Sequence, residues 1–287
     1  MRLSTAIITS ALASSVAAQQ TPRAIYVDPP RDTTHPARMV VLHIPSGDVK
    51  INGVAYTASG AGVHPTFVFF HGLPGNEKNI DLAQAVRRAG WNAITVNYRG
   101  SWGSPGEFRF ANNLADADAV LSFLRDSAKV LGVDTTRIVI AGHSMGGWVV
   151  AHTAAHHPEL LGAVMISAAD LGRVGSMPRA QLVAFMADNM ESLAGVTAEG
   201  MADELLGGAS NWTFDTDAPG LAQTPVLVLT SEDGLAPQSN ALVQHLRAEG
   251  NKRVTTLHRR TDHSWSDSRI ALESAIIKWL QGLRRSR

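Results

Sequence analysis

The run Gly142-His143-Ser144-Met145-Gly146-Gly147 lies between an apolar stretch, residues 137–141 (RIVIA), and a helical pattern over residues 148–157. A Gly-x-Ser-x-Gly spacing between a strand and a helix predicts a nucleophile elbow. This turn is so tight that it lifts a serine hydroxyl above the C-terminal edge of a sheet. Its neighbours must be small: a side chain at 142 or 146 would collide with nearby backbone, so glycine stands at both. The same pentapeptide could open an ordinary glycine-rich helix. The strand before it and the helix after it favour the elbow.

Working outward, residues 38–44 and 49–57 alternate as two antiparallel strands joined by a Pro45-Ser46-Gly47-Asp48 turn. The apolar run 66–70 reads as a strand buried on both faces. Residues 79–89 are helical and stop at Gly90, residues 91–98 form the next strand, and 114–131 reads as one amphipathic helix ending near Gly132. Further strands are expected at 137–141, 162–167, 225–230 and 252–258, with closing helices at 237–249 and 268–283. This alternation predicts a mostly parallel eight-stranded sheet with helices on both faces. Between Asp170 and Leu221 the alternation breaks into helix-like, methionine-containing sequence. Its apolar positions (Leu182, Val183, Phe185, Met186, Met190 and Leu193, then Met201, Leu205 and Leu206) mainly bury that segment, and a few are free to line a pocket.

Ser144 needs a base. Imidazole suits the role, because as a side chain it titrates near neutral pH. Eleven histidines are present, so position must choose among them. His263, in TDHSWSD, follows the last expected strand and precedes the last helix. Acids near the right place are Glu232, Asp233 and Asp262. The turn His71-Gly72-Leu73-Pro74-Gly75, directly after the strand at 66–70, could supply a backbone donor.

These four segments, HGLPG, GHSMGG, Asp233 in TSEDGLAP and His263 in TDHSWSD, occur in the order found in the α/β-hydrolase family, which the chain resembles from about residue 38 onward. The resemblance implies an α/β-hydrolase fold with a small helical cap inserted at about 171–221. It implies a triad of Ser144, Asp233 and His263. Asp233 is preferred over Glu232 because Pro237 opens a helix shortly after it, as in the family pattern, while Asp262 reads as a loop-shaping residue. The oxyanion hole is expected from the backbone N–H groups of Met145, at the start of the elbow helix, and Leu73, because Pro74 has none. A serine nucleophile sets aside the family's aspartate branches, the haloalkane dehalogenases and epoxide hydrolases. HGLPGNEKN and YRGSWGSPGEF are similar to segments of prolyl oligopeptidase-like hydrolases. That group usually carries an aromatic residue where this chain has Met145, and no propeller-like sequence stands before the hydrolase segment, so a small esterase is the expectation. Other readings are a peptidase, a non-hydrolytic enzyme on the same triad, or a silent binding protein; the last commonly lacks a triad member, and here all three are present.

Composition sets the bounds. With 45% hydrophobic and 17% charged residues, the 287-residue chain is globular and long enough for one large domain. Zero formal net charge gives no reason to expect nucleic acid as a partner. A small-molecule ester is the expected partner, and the chemistry requires no metal or organic cofactor. His152 and His156 share a helix face without a zinc-protease Glu, so a metal pair is not expected. Residues 99–106 (RGSWGSPG) read as a loop beside the pocket rather than a phosphate cradle, and Asp116 and Asp118 as favourable charges early in a helix. Residues 1–18 carry Arg2, a short apolar stretch too hydroxyl-rich for a stable membrane span, and Val16-Ala17-Ala18. They read as an export signal cleaved after Ala18, placing the protein in the periplasm or outside the cell. An extended segment, 19–37, follows. The absence of cysteine leaves the redox compartment unspecified.

Overall fold

The computed structural model describes residues 20–285. The export segment read in residues 1–18 lies outside them, as do Ser286 and Arg287. One eight-stranded sheet runs in the order β1-β2-β4-β3-β5-β6-β7-β8. β1 (Arg38–Ser46) and β2 (Val49–Thr57) form an antiparallel hairpin at the edge, and β2 pairs antiparallel with β4 (Asn92–Val96). The rest is parallel: β3 (His64–Phe70), β5 (Val133–His143), β6 (Gly162–Ile166), β7 (Val226–Thr230) and β8 (Val254–His258).

The period-2 geometry of β3 shows how the core is divided. Phe67 and Phe69 face α1 (Ile80–Arg88) and α10 (Arg269–Arg285), packing with Leu82, Val86, Leu272 and Ile276. Val68 and Phe70 belong to the opposite layer. There the core holds Val120 and Leu124 of α2 (Phe110–Asp126), Trp148 of α4 (Met145–His156) and Leu242 of α9 (Ala236–Ala248). Helices therefore cover both faces, and every residue of β3 from Pro65 onward is buried. No described helix is long and apolar enough to cross a membrane.

Three local expectations are corrected. The β1–β2 turn is only Gly47-Asp48, because Pro45 and Ser46 stay in register opposite Lys50 and Val49. Gly47 supplies φ +60°, and β1 tolerates Pro45 because an edge strand has a free side. The helix expected over 114–131 is two: α2 begins four residues earlier, at Phe110, and the chain breaks at Ser127 before α3 (Ala128–Leu131). Ser127 is a residue type that competes poorly inside helices. The earlier start changes the role of Asp116. It lies beyond the first turn and is fully buried, accepting hydrogen bonds from Ser46 Oγ (2.5 Å), the Arg99 N–H (2.8 Å) and Arg99 Nε (2.7 Å). It anchors the loop after β4 rather than complementing a helix dipole. Asp118 is exposed and pairs with His157 at 3.0 Å.

Between β6 and β7 the chain forms four helices, α5 (Leu171–Gly175), α6 (Arg179–Ala187), α7 (Ala198–Gly208) and α8 (Phe214–Asp217). Buried Asp170 ties both ends of this segment: its carboxylate caps α5 through the Arg173 N–H (3.1 Å) and accepts the Phe214 N–H (3.2 Å). Leu182, Met186, Met201 and Leu205 are buried, while Phe185 and Leu206 are partly open.

Candidate active site

β5 ends at His143 and α4 begins at Met145, leaving Ser144 alone in the turn with φ 57° and ψ −122°. A non-glycine residue holds such a conformation only where its surroundings fix it. The Ser144 N–H donates to Ile166 O (2.9 Å), and its carbonyl accepts the N–H groups of Gly147 (2.9 Å) and Ala169 (3.0 Å). The glycine requirement is steric. A methyl on Gly142 would lie 2.0 Å from Gly146 O, and one on Gly146 2.2 Å from Phe70 O. Both obstacles are backbone, which cannot rotate away.

His263 and Asp233 come from loops after β8 and β7. His263 Nδ1–H donates to Asp233 Oδ2 at 2.7 Å, and the Leu235 N–H donates to Asp233 Oδ1 at 2.9 Å. Burial pushes the Asp233 carboxyl upward, but hydrogen bonds from His263, Leu235 and Ser231 outweigh it and hold the group at about 2. The other two acids are occupied elsewhere. Glu232 pairs with Arg260 (3.3 Å), and Asp262 accepts the Ser266 N–H (2.7 Å). Ser144, Asp233 and His263 line one cavity. Among the described residues no hydrogen bond joins Ser144 Oγ to the His263 ring; general-base transfer requires that contact to form with substrate in place.

The histidine loop is held by residues the sequence reading passed over. His143 Nε2–H donates to the His263 carbonyl (2.8 Å), linking the His263 loop to the residue before Ser144. Burial and the neighbouring His263 lower His143 to about 4, so it stays neutral. Trp265, fully buried, donates its indole N–H to Ser167 Oγ (3.0 Å), and Arg269 Nη1 donates to Ser264 O (3.0 Å). In the sequence His143 stands inside the elbow motif, and Trp265 and Arg269 stand within six residues of His263; of the other partners only Ser167, 98 residues from Trp265, is remote.

The turn after β3 sits against the elbow. A methyl on Gly72 would lie 2.9 Å from Ser144 Cβ. His71 is buried and lowered to about 3, chiefly by burial; its Nδ1–H donates to Gly72 O (2.8 Å), and Ser101 Oγ approaches Nε2 at 3.3 Å. Met145 is the first residue of α4, so its N–H has no acceptor within the helix. Leu73 and Met145 both line the cavity beside Ser144.

That cavity measures about 290 Å³ and is walled mainly by apolar side chains, among them Phe110, Leu171, Val174, Phe185, Met186 and Leu205. A second hollow of about 230 Å³ meets it at Leu73, Ser144, Asn189 and His263, and is bordered by Asn76, Glu77 and Ser264. Other conspicuous groups lie elsewhere. His152 bonds to Asp217 at 3.0 Å, and no cluster of three or more potential metal ligands occurs among the described residues.

A model of the alpha/beta hydrolase fold family matches residues 65–243. The putative esterase YheT of Escherichia coli strain K12 is 28% identical over 113 residues, 38% of this chain and 33% of that protein. The chain thus matches about a third of that relative's length. A hyperthermophilic esterase from the archaeon Pyrobaculum calidifontis superposes with a TM-score of 0.65 at 19% identity, covering 88% of both chains. The acylaminoacyl peptidase of Pyrococcus horikoshii superposes with a TM-score of 0.64 at 18% identity, over 85% of this chain and 41% of that one. At these identities the structural likeness is one of fold.

Proposed function

The chain belongs to the alpha/beta hydrolase fold family, and from that premise we propose a serine hydrolase that cleaves small-molecule carboxylic esters through an acyl-enzyme. The observation that carries this reading is the Asp233–His263 pair at 2.7 Å, opening onto the same apolar cavity as the elbow serine. In this reading Ser144 Oγ attacks the ester carbonyl while His263 Nε2 takes its proton. Asp233 holds Nδ1–H, fixing the tautomer and stabilising the imidazolium. The N–H groups of Leu73 and Met145 receive the oxyanion, aided by the N-terminal end of α4. Collapse breaks the ester C–O bond, and His263 returns the proton to the departing alcohol. Water then attacks the acyl-enzyme by the same route in reverse, releasing the acid and restoring Ser144.

The apolar cavity suits the acyl group, and its volume lies at the lower end of the range for ligand pockets, about 300–1,000 Å³. The helices α5 to α7 that furnish Val174, Phe185, Met186 and Leu205 act as the cap. A fluorophosphonate probe should therefore label the protein at Ser144, as mass spectrometry of the labelled peptide would show. With p-nitrophenyl esters of increasing acyl length, kcat/KM should peak at short to medium chains and fall once the chain outgrows the cavity. An unlabelled protein overturns the proposal. Turnover of a matched amide without turnover of the esters replaces it with a peptidase. The signal in residues 1–18 adds export to this reading, and N-terminal sequencing of the mature protein should find Gln19 first.

A further inference from the structure

Pro74 ends the turn that presents the Leu73 N–H, and its carbonyl is held by two donors from separate segments. Trp102 Nε1–H donates to Pro74 O at 2.7 Å, and Ser192 Oγ–H donates to it at 3.2 Å. Trp102 lies in the loop after β4; Ser192 lies between α6 and α7. The two are themselves joined, since the Trp102 N–H donates to Ser192 O (3.0 Å) and Ser101 forms an isolated antiparallel bridge with Leu193.

Core burial does not explain Trp102. Its side chain belongs to a residue left 38% exposed, yet its backbone sits at φ 49°, in the left-handed region a bulky residue rarely adopts. Several contacts fix it there. Asn97 Nδ2–H donates to the Trp102 carbonyl (3.2 Å). The Lys78 ammonium lies 4.4 Å from the centre of the indole ring and donates to Asn97 Oδ1 (2.8 Å). Strain at a site fixed this heavily points to a role for the group so presented. What it presents is one indole N–H, aimed at one carbonyl.

We infer that Trp102, seconded by Ser192, is a positioning residue for hydrolysis: it fixes the Pro74 carbonyl and so the direction of the Leu73 N–H. Two donors occupy both lone pairs of the oxygen, which sets its orientation as well as its distance. The proline ring fixes φ at residue 74, so restraint at its carbonyl passes back along the turn. At the other end the turn is pinned where Gly72 meets Ser144. Leu73 is therefore held from both sides, and one of the two clamps includes a residue from the helical segment over the cavity. This inference rests on the proposed role of Leu73 as an oxyanion donor.

The test uses the full chain with Trp102→Phe, which keeps an aromatic ring for Lys78 and removes the N–H together with the second ring of the indole, and with Ser192→Ala and Ser192→Thr, which change the other donor alone. Misplacing an oxyanion donor costs roughly tenfold to a hundredfold in rate. Trp102→Phe should lower kcat by that factor with KM within about twofold, and should slow fluorophosphonate labelling in parallel, because phosphonylation draws on the same donors. Ser192→Ala should give a smaller loss of the same kind, and Ser192→Thr, which keeps the hydroxyl, should restore it. Wild-type kcat and labelling rate in both Trp102→Phe and Ser192→Ala overturn the inference. So does a loss confined to KM or to thermal stability. Should Trp102→Phe fail to fold, the Ser192 pair decides alone. Failure of the proposed hydrolase reading is distinguishable, since wild-type protein would then resist the probe before any variant is made.

Discussion

Ser144→Ala is expected to lower kcat on p-nitrophenyl esters by a factor on the order of 10⁶, with the fold intact. Alanine is an L-residue like serine, so the φ of 57° is no harder to hold, and the backbone bonds to Ile166, Gly147 and Ala169 do not involve the side chain. The lost oxygen leaves no described partner unpaired, so stability should change by no more than about 0.5 kcal/mol. His263→Ala should cost a comparable factor. The double variant should be no slower than either single one, because a nucleophile without its base and a base without its nucleophile disable the same step. Active-site titration guards against traces of wild-type enzyme. Activity in Ser144→Ala above a hundredth of wild type, or additive losses in the double variant, would remove the serine mechanism.

The sequence revealed the site where short-range sterics dictate it. The elbow requires glycine at 142 and 146, and the backbone oxygens 2.0 Å and 2.2 Å from the would-be methyls show why no other residue serves. The continuous apolar run in β3 and the alternation in β1 and β2 were legible for the same reason: each strand's burial is written in its own residues. The choice among Glu232, Asp233 and Asp262 was of another kind. Three carboxylates at similar chain positions cannot be ranked by pattern; the placement of Asp233 against His263 is a property of two loops meeting. Asp116 was misread because a four-residue shift in a helix start moves a side chain from the first turn to the core. Trp102 and His143 carried visible chemistry with no visible target. Their acceptors lie 28 and 120 residues away, at Pro74 and His263, and no periodicity encodes such pairs.

Asp233→Asn is the second large effect, and it separates charge from shape. The Asp233 side chain is only 4% exposed, and burial alone would favour its neutral form. The hydrogen bonds from His263 Nδ1, the Leu235 N–H and Ser231 reverse that and lower it to about 2, so the group is an anion wherever the enzyme works. An amide of the same shape presents an N–H toward the ring as readily as an oxygen. The imidazole then satisfies that N–H with an unprotonated Nδ1, which places its proton on Nε2, the atom that accepts from Ser144 in the proposed mechanism. kcat should fall about 10⁴-fold with KM changed little. Stability supplies an independent readout. A carboxylate lowered in the folded state contributes stability that is fully present above its unfolded value, about 3.9, and is lost as pH falls through about 2. Wild-type protein should therefore lose stability more steeply than Asp233→Asn between pH 4 and 2, as urea midpoints across that interval would show. If Glu232 or Asp262 were the functional acid, Asp233→Asn would keep most of its kcat, and the corresponding Asn or Gln variant at 232 or 262 would lose it instead.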